Sequence, residues 1–201
     1  MKKIIAILMV LALACSICSC GFRRWPFFTT QTTKEIVSPS EGLELELSED
    51  QTSYIVMGIG TCTDTDIVIP NIYNGLPVTS IAMCAFAQCT SITSVIIPDS
   101  ITYIGGGAFS FCYSIESIMI GNSVTKINVD TFQGCNSLTN INIPKSVKEI
   151  DAFAFFVCTS LISINYDGTM EEWNSVKKSS LWNDRGHITE VVCSNGTITI
   201  K

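Results

Sequence analysis

The chain has 201 residues, of which 47% are hydrophobic and 15% are charged, and its net charge is −6. This apolar content excludes an intrinsically disordered protein, and an acidic chain without a basic stripe excludes nucleic acid as a partner. The length suits one domain of ordinary size with a leader in front of it.

The first twenty residues have the pattern of a signal peptide, because two lysines precede an apolar run from Ile4 to Ala14 that is short for a membrane span. They end in ICSC, with Ile17 three residues before Cys20. This ending resembles a bacterial lipobox, so we expect an exported protein that is lipid-anchored through Cys20. A freely secreted protein or an uncleaved membrane anchor are the alternatives, and Cys15 or Cys18 are alternative processing sites.

Residues 21–41 are rich in threonine and serine and contain Pro39, a composition typical of a flexible tether. Ordered structure is expected from Gly42. The segments LELEL and SYIVMGI flank SEDQT and predict a β-hairpin that covers the first repeat.

The next part of the chain repeats with a fixed 23-residue period. Four columns keep this spacing without insertion or deletion, namely Ile81, Ile104, Ile127 and Ile150; Phe86, Phe109, Phe132 and Phe155; Cys89, Cys112, Cys135 and Cys158; and Ile92, Ile115, Leu138 and Leu161. A fixed period in the range of leucine-rich repeats, with LxxIxI in each unit, is typical of a leucine-rich repeat solenoid. An earlier unit, DIVIPNIYNGLPVTSI, has a loop that is five residues longer.

The units IPDSITYIGGGAFSFCYSIESIMIG and IPKSVKEIDAFAFFVCTSLISINYD resemble the BspA-type leucine-rich repeat of bacterial and protist surface proteins. Gly121 and Asp167 depart from that pattern by replacing a strand-ending proline, and Thr131 replaces an alanine. We therefore expect a mainly β fold, with a solenoid of 23-residue coils and an N-terminal hairpin cap over residues 42–169. The resemblance implies adhesion to, or interaction with, macromolecules of a host or a neighbouring cell.

Residues 170–201 are predicted to cap the other end of the solenoid. The stretch TMEEWNSVKK predicts a short helix with a capping box of Thr169 and Glu172, and with Lys177 and Lys178 in its last turn. The side chains expected to plug the last coil are Trp173, Leu181 and Trp182.

After this helix, ITEVVCSNGTITI predicts a hairpin. Asn195–Gly196 suits a type I′ turn, because this turn needs positive φ at both central residues. Asn195 also begins a glycosylation sequon, which the lipobox-like leader of a bacterial protein argues against.

The four repeated cysteines lie about 4.8 Å apart on successive coils, so the row is roughly 14 Å long. Zinc needs its ligands within about 2.3 Å of one point, so no metal site is expected. Parallel side chains disfavour disulfides between neighbours, although an oxidising compartment keeps them as an alternative. We expect buried thiols, and serine at Cys112 should cost about 1–3 kcal/mol because a buried hydroxyl has no assured partner. Cys62, Cys84 and Cys193 do not fit the row and are disulfide candidates without an assigned pairing.

No catalytic residue or cofactor is predicted. The single histidine, His187, has no orienting motif that would make it the base for Cys193. The carboxylate pairs Glu171–Glu172 and Glu49–Asp50 are sequence neighbours that point apart. The glycines at 105–107 lack a phosphate-loop context and predict a turn.

Residues that alternate with the inward aliphatics must face outward on the main sheet. They form a candidate ligand-binding face of two columns, namely Ser94, Ser117, Asn140 and Ser163, and Val68, Ile96, Met119, Asn142 and Asn165. We expect a monomeric, non-enzymatic surface protein that binds an extracellular protein or glycan through this face. The alternative is a structural spacer of the envelope, in which these side chains only bridge the coils.

Overall fold

The structure is a computed structural model that describes residues 38–200. The predicted signal peptide, Cys20 and residues 21–37 of the predicted tether lie outside the described residues. Within residues 38–200, no helix has both the length and the apolar composition that a membrane span requires.

The described chain winds as a solenoid of about six turns between two ladders of short strands, so the predicted mainly β fold is confirmed. In chain order its elements are β1 (Glu44–Leu47), β2 (Tyr54–Gly58), β3 (Asp66–Val68), β4 (Ile72–Tyr73), β5 (Leu76–Ile81), β6 (Ser94–Ile96), β7 (Tyr103–Ile104), β8 (Ser117–Met119), β9 (Lys126–Ile127), β10 (Asn140–Ile143), β11 (Glu149–Ile150), β12 (Ser163–Tyr166), α1 (Met170–Ser175), β13 (Lys177–Lys178), β14 (Glu190–Cys193) and β15 (Gly196–Thr199).

The longer ladder, the front sheet, has seven strands in the order β15-β14-β12-β10-β8-β6-β3. All neighbours are parallel except β14 and β15, which form the predicted antiparallel hairpin. Val95 of β6 lies beside Ile118 of β8, and Ile118 lies beside Ile141 of β10. This register stacks the inward aliphatic side chains of successive coils on one another.

The opposite side of each coil carries a shorter strand. Here β5 pairs with β7, and β11 pairs with β9 and β13, all in parallel, in two separate sheets that together are called the rear ladder. The predicted N-terminal hairpin is confirmed as β1 and β2, and β2 continues this rear ladder by pairing in parallel with β5. Ser40 covers the first edge of the front sheet, because its N–H donates to the Val68 carbonyl at 2.8 Å and its hydroxyl accepts the Val68 N–H at 3.0 Å.

A stack of aromatic rings runs along the core. The four rings have centroids 5.2, 5.9 and 5.5 Å apart and belong to Phe86, Phe109, Phe132 and Phe155. Trp182 packs edge-on against Phe155, and Trp173 packs against Trp182, each at 6.0 Å. Both tryptophans therefore close the last coil as predicted. The prediction for Leu181 is wrong, because its side chain is 41% exposed and only its backbone carbonyl engages the coil, accepting the N–H of Phe153.

The turn that joins a rear strand to the next front strand contains two positions with positive φ. They recur in four successive coils, as Cys84, Gly107, Asp130 and Phe153, and as Gln88, Phe111, Gly134 and Val157. The glycines at 105–107 lie at such a turn, as expected. Val157 is the most strained member, because its branched Cβ crowds the left-handed backbone.

The type I′ turn occurs elsewhere than predicted. In the β4–β5 hairpin, Asn74 and Gly75 both have positive φ, at 47° and 82°. In the C-terminal hairpin Cys193 pairs with Gly196, so the two loop residues are Ser194 and Asn195, and neither has positive φ. The register of β15 on β14 therefore places the loop one residue earlier than predicted.

The predicted capping box is confirmed, with Thr169 and Glu172 each accepting the other's backbone N–H. The prediction that Lys177 and Lys178 lie in the last helical turn is wrong. The helix ends at Ser175, and both lysines form β13 because the rear ladder pairs there with β11. Lys178 still caps the helix, since its ammonium donates to the carbonyls of Trp173 and Val176 at 2.8 Å each.

Two glycines permit close contact between adjacent coils. A Cβ at Gly121 would lie 2.3 Å from the carbonyl oxygen of Pro98, and one at Gly105 would lie 2.4 Å from the Met83 nitrogen. Gly121 takes the place of the repeated proline because no side chain fits between these backbones.

Candidate functional site

The structure brings the predicted outward residues together as two continuous columns on the front sheet. The strand registers also add residues that sequence reasoning missed, so that the columns are Asp66, Ser94, Ser117, Asn140, Ser163 and Glu190, and Val68, Ile96, Met119, Asn142, Asn165 and Val192. The signal for Asp66 was available, because it precedes the inward Ile67 as Ser94 precedes Val95. The longer loop of this coil breaks the regular period, so the column predicted from that period did not reach Asp66.

The second column changes character along the solenoid. Met119 is 57% exposed, and Val68 and Ile96 beside it are half-buried. Farther along, Asn142 is half-buried and Asn165 is exposed. This column is therefore apolar over its first three coils, presents amides on the next two and ends in the exposed Val192.

Several polar groups of this face are engaged between coils. The Asp66 carboxylate accepts the hydroxyl of Ser94 at 2.6 Å and that of Thr93 at 2.9 Å, and these hydrogen bonds hold the pKa of Asp66 below its ordinary value. Asn142 donates to the Asp167 carboxylate at 2.8 Å. Asn165 has no side-chain hydrogen bond among the described residues, so its amide is free to meet a ligand.

The rear ladder presents charge instead. The Lys126 ammonium lies 2.9 Å from a Glu149 oxygen and 3.0 Å from an Asp151 oxygen. The hydrogen bond from Lys126 lowers the pKa of Glu149, and the bond to Glu149 raises the pKa of Lys126. Exposed pairs of this kind contribute little to stability.

The buried thiols form a hydrogen-bonded ladder. The Sγ atoms of Cys112, Cys135 and Cys158 donate to the Phe carbonyl of the preceding coil, at 2.9, 3.2 and 3.0 Å. Burial raises the pKa of Cys112 and of Cys158 to about 12, and that of Cys135 well above its ordinary value. The premise that a hydroxyl at Cys112 would lack a partner is therefore wrong, because the carbonyl of Phe86 is in place.

The remaining cysteines are free thiols in the described structure. Cys62 was expected to lie outside the row, but its N–H donates to the Ile59 carbonyl as each row cysteine donates to a Phe carbonyl. Cys62 thus lies in a turn like those of the row cysteines, and the segment between it and the next front strand is one residue shorter. Cys84 is exposed and Cys193 is buried, and neither forms a disulfide.

The other groups that carry chemistry are dispersed. A ring nitrogen of His187 lies 2.8 Å from the Thr159 carbonyl, whereas the Cys193 sulfur has only the Val191 carbonyl at 4.0 Å. Burial raises the pKa of Cys193, which disfavours its nucleophilic thiolate. Within residues 38–200, no three histidine, cysteine or acidic side chains are grouped so that they could hold a metal ion.

Charge is divided unevenly along the solenoid. Residues 38–125 contain nine acidic residues and no lysine or arginine. Residues 126–200 contain six lysines or arginines and eight acidic residues. Any positively charged contact on the described solenoid must therefore come from its C-terminal coils.

Comparisons agree with this architecture. Residues 61–184 match the family described as the BspA type leucine-rich repeat region, in six copies. The chain is 32% identical to a leucine-rich cell surface protein of Faecalibacterium prausnitzii A2-165, with a TM-score of 0.52 and coverage of 70% of this chain and 42% of that one. It is 30% identical to a leucine-rich repeat protein of Bacteroides capillosus ATCC 29799, with a TM-score of 0.56 and coverage of 63% and 95%.

A leucine-rich repeat protein of Bacteroides ovatus ATCC 8483 is 22% identical, with a TM-score of 0.58 and coverage of 78% of this chain and 46% of that one, and shows the shared fold. The chain thus spans less than half the length of the F. prausnitzii protein. No curated protein matches the chain.

Proposed function

The chain belongs to the BspA-type leucine-rich repeat family, and from that premise we propose that it is a non-enzymatic binding protein of the bacterial cell surface. Its front face binds an extracellular protein or glycan. Family membership and the likeness to a cell surface protein of F. prausnitzii support the location. The dispersal of His187 and Cys193 supports a role without catalysis.

The observation that carries the proposal is the apolar end of the front face. Met119 is 57% exposed and lies beside Ile96, which lies beside Val68. These three side chains stand on an open parallel sheet, where small serines on the neighbouring column let a partner approach closely. The exposed amide of Asn165 supplies hydrogen-bonding capacity farther along the same column.

A binding screen against extracellular matrix proteins, glycans and cell-wall fragments tests this proposal. We expect Ile96→Ser with Met119→Ser, or Asn142→Ala with Asn165→Ala, to weaken binding of the partner that the screen identifies. The matched control is Met83→Ser, which removes a more exposed apolar side chain from the turn between β5 and β6 and should leave binding unchanged. Failure of every candidate partner would favour a structural spacer. Binding that survives both double variants would exclude the front face as the site and make the longer NIYNG loop the next candidate.

We also propose that the protein is exported and lipid-anchored through Cys20. The lipobox-like ICSC ending supports this anchor, and secretion without lipid is the alternative.

A further inference from the structure

A shallow cleft of about 290 Å³ lies on the edge of the solenoid where turns lead from the front strands to the rear strands, away from the front face. Its lining residues are Asn122, Lys145, Ser146, Lys148 and Glu172. Asn122 and Lys145 occupy the same position in successive coils, one period apart, in the turns that follow β8 and β10. In the next coil the equivalent turn leads into α1, and this inserted helix supplies the Glu172 wall.

The charge in the cleft is unbalanced. The Lys145 ammonium has no hydrogen bond or ion pair among the described residues, and the Lys148 ammonium donates only to the Lys145 carbonyl, at 2.7 Å. The Glu172 carboxylate is partly engaged, because one oxygen accepts the Thr169 N–H at 2.8 Å in the capping box. Two lysines and one glutamate line the cleft, and the Asp99 carboxylate behind Asn122 is already engaged by that residue. The lining itself therefore carries a net positive charge, which favours an anionic ligand.

The uncharged lining suits hydroxyl groups. Asn122 uses its side-chain and backbone N–H groups on Asp99, at 3.3 and 2.7 Å, which leaves its side-chain oxygen as an acceptor. The Ser146 hydroxyl donates to the Val124 carbonyl at 2.7 Å and keeps its lone pairs for a second bond. Together with the second oxygen of Glu172, these groups give the cleft several acceptors beside its two cations.

We propose that this cleft binds a hexuronic acid unit of an extracellular glycan, with the sugar carboxylate on Lys145 and Lys148. Ring hydroxyls of the sugar donate to Asn122, Ser146 and Glu172. The lining contains no apolar side chain, which disfavours a peptide anchor, and the Glu172 carboxylate repels a doubly charged phosphate. The volume is at the small end for ligand sites and suits a single sugar ring.

Titration of the folded protein with D-glucuronate, followed by amide chemical shifts, tests the proposal. We expect saturable shifts confined to the turns around Asn122 and Ser146, with a dissociation constant on the order of 1 mM. Lys145→Gln and Lys148→Gln should each weaken binding about tenfold, the effect of losing one charge-assisted hydrogen bond. Lys177→Gln is the matched control, because it makes the same charge change outside the cleft and should bind as the wild type does.

Two control ligands distinguish recognition of the sugar ring from recognition of the carboxylate alone. D-glucose should not bind, and acetate should bind at least tenfold more weakly than D-glucuronate because it lacks ring hydroxyls. Absence of saturable shifts, equal binding of acetate, or wild-type affinity in Lys145→Gln would each overturn the assignment. The Ile96→Ser with Met119→Ser variant should bind D-glucuronate normally, so failure of the front face and failure of the cleft are distinguishable.

Discussion

Replacing Cys112 by serine and, separately, by alanine tests the thiol ladder. The Cys112 side chain is fully buried and its sulfur donates to the Phe86 carbonyl at 2.9 Å. Serine keeps a donor at this position and alanine does not. We therefore expect serine to be the milder change, the reverse of the order expected when the hydroxyl has no partner.

The magnitudes follow from the contacts. Alanine removes a group about the size of one methylene, which costs ~0.8 kcal/mol of transfer free energy. A residual cavity of roughly 20 Å³ adds about 0.5 kcal/mol, and the lost hydrogen bond about 0.5 kcal/mol, so the total is close to ~2 kcal/mol. The Phe86 carbonyl keeps the Cys89 N–H at 3.1 Å as a donor and adds no penalty. Serine loses only the difference in size and should cost about 1 kcal/mol, because its hydrogen bond offsets desolvation of the hydroxyl.

Urea denaturation of the two variants and the wild type gives these free energies of unfolding, provided that the m-values agree. Cys89 is the matched control, since it is only half-buried and its sulfur has no hydrogen bond among the described residues. Serine and alanine at Cys89 should differ by less than about 0.5 kcal/mol. A Cys112→Ser variant that is less stable than Cys112→Ala by 1 kcal/mol or more, roughly one hydrogen bond, would refute the ladder.

Three further predictions concern other parts of the chain. Burial raises the pKa of Cys112 from 9.0 to about 12, so the unfolded chain loses this proton first as the pH rises. The free energy of unfolding should therefore fall between those values by up to ~1.4 kcal/mol per pH unit, and Cys112→Ser should lessen that slope in alkaline urea titrations. Val157→Gly should stabilise the protein by about 0.5–1 kcal/mol in thermal melts by relieving positive φ, and a loss would show that side-chain contacts outweigh the strain. Metabolic labelling with a fatty acid should mark the wild type and not Cys20→Ala; persistent label would move the site to Cys15 or Cys18, and no label in either would indicate a secreted protein.

The repeat could be predicted from the sequence because its apolar columns admit one arrangement. Phe109 and Ile127 recur at the same place in every 23-residue unit and are buried in the structure. A single coil cannot bury them, so stacking of coils follows from the pattern alone. The front-face columns follow as well, since strand alternation fixes which side chains point outward.

Local signals failed where pairing between coils overrode them. Lys177 and Lys178 have the composition of a helix end, yet Lys177 donates its N–H to the Lys148 carbonyl at 2.9 Å and extends the rear ladder. An Asn–Gly pair marks a type I′ turn only if the strand register allows it, which holds at Asn74 and not at Asn195.

The cleft could not be predicted from the sequence. Its residues come from the turns of two coils and from a helix inserted in a third, and none of them belongs to a recognisable motif. Only the position of α1 brings Glu172 into the same cleft as Lys145 and Lys148. Side chains that come together through a non-repeated insertion produce no periodic pattern in the sequence.

The contact at Gly121 bears on how a repetitive chain finds its correct alignment. Coils that share the same phenylalanine, cysteine and isoleucine columns can dock one period out of place with most apolar contacts intact, which creates a kinetic trap. Such a slip would bring Pro144 to the position of Gly121, where even a Cβ would lie 2.3 Å from the Pro98 carbonyl oxygen. Gly121 therefore distinguishes coils that are otherwise interchangeable. Misfolding through misaligned docking should increase in a variant whose turn at residue 98 leaves room for a side chain at position 121.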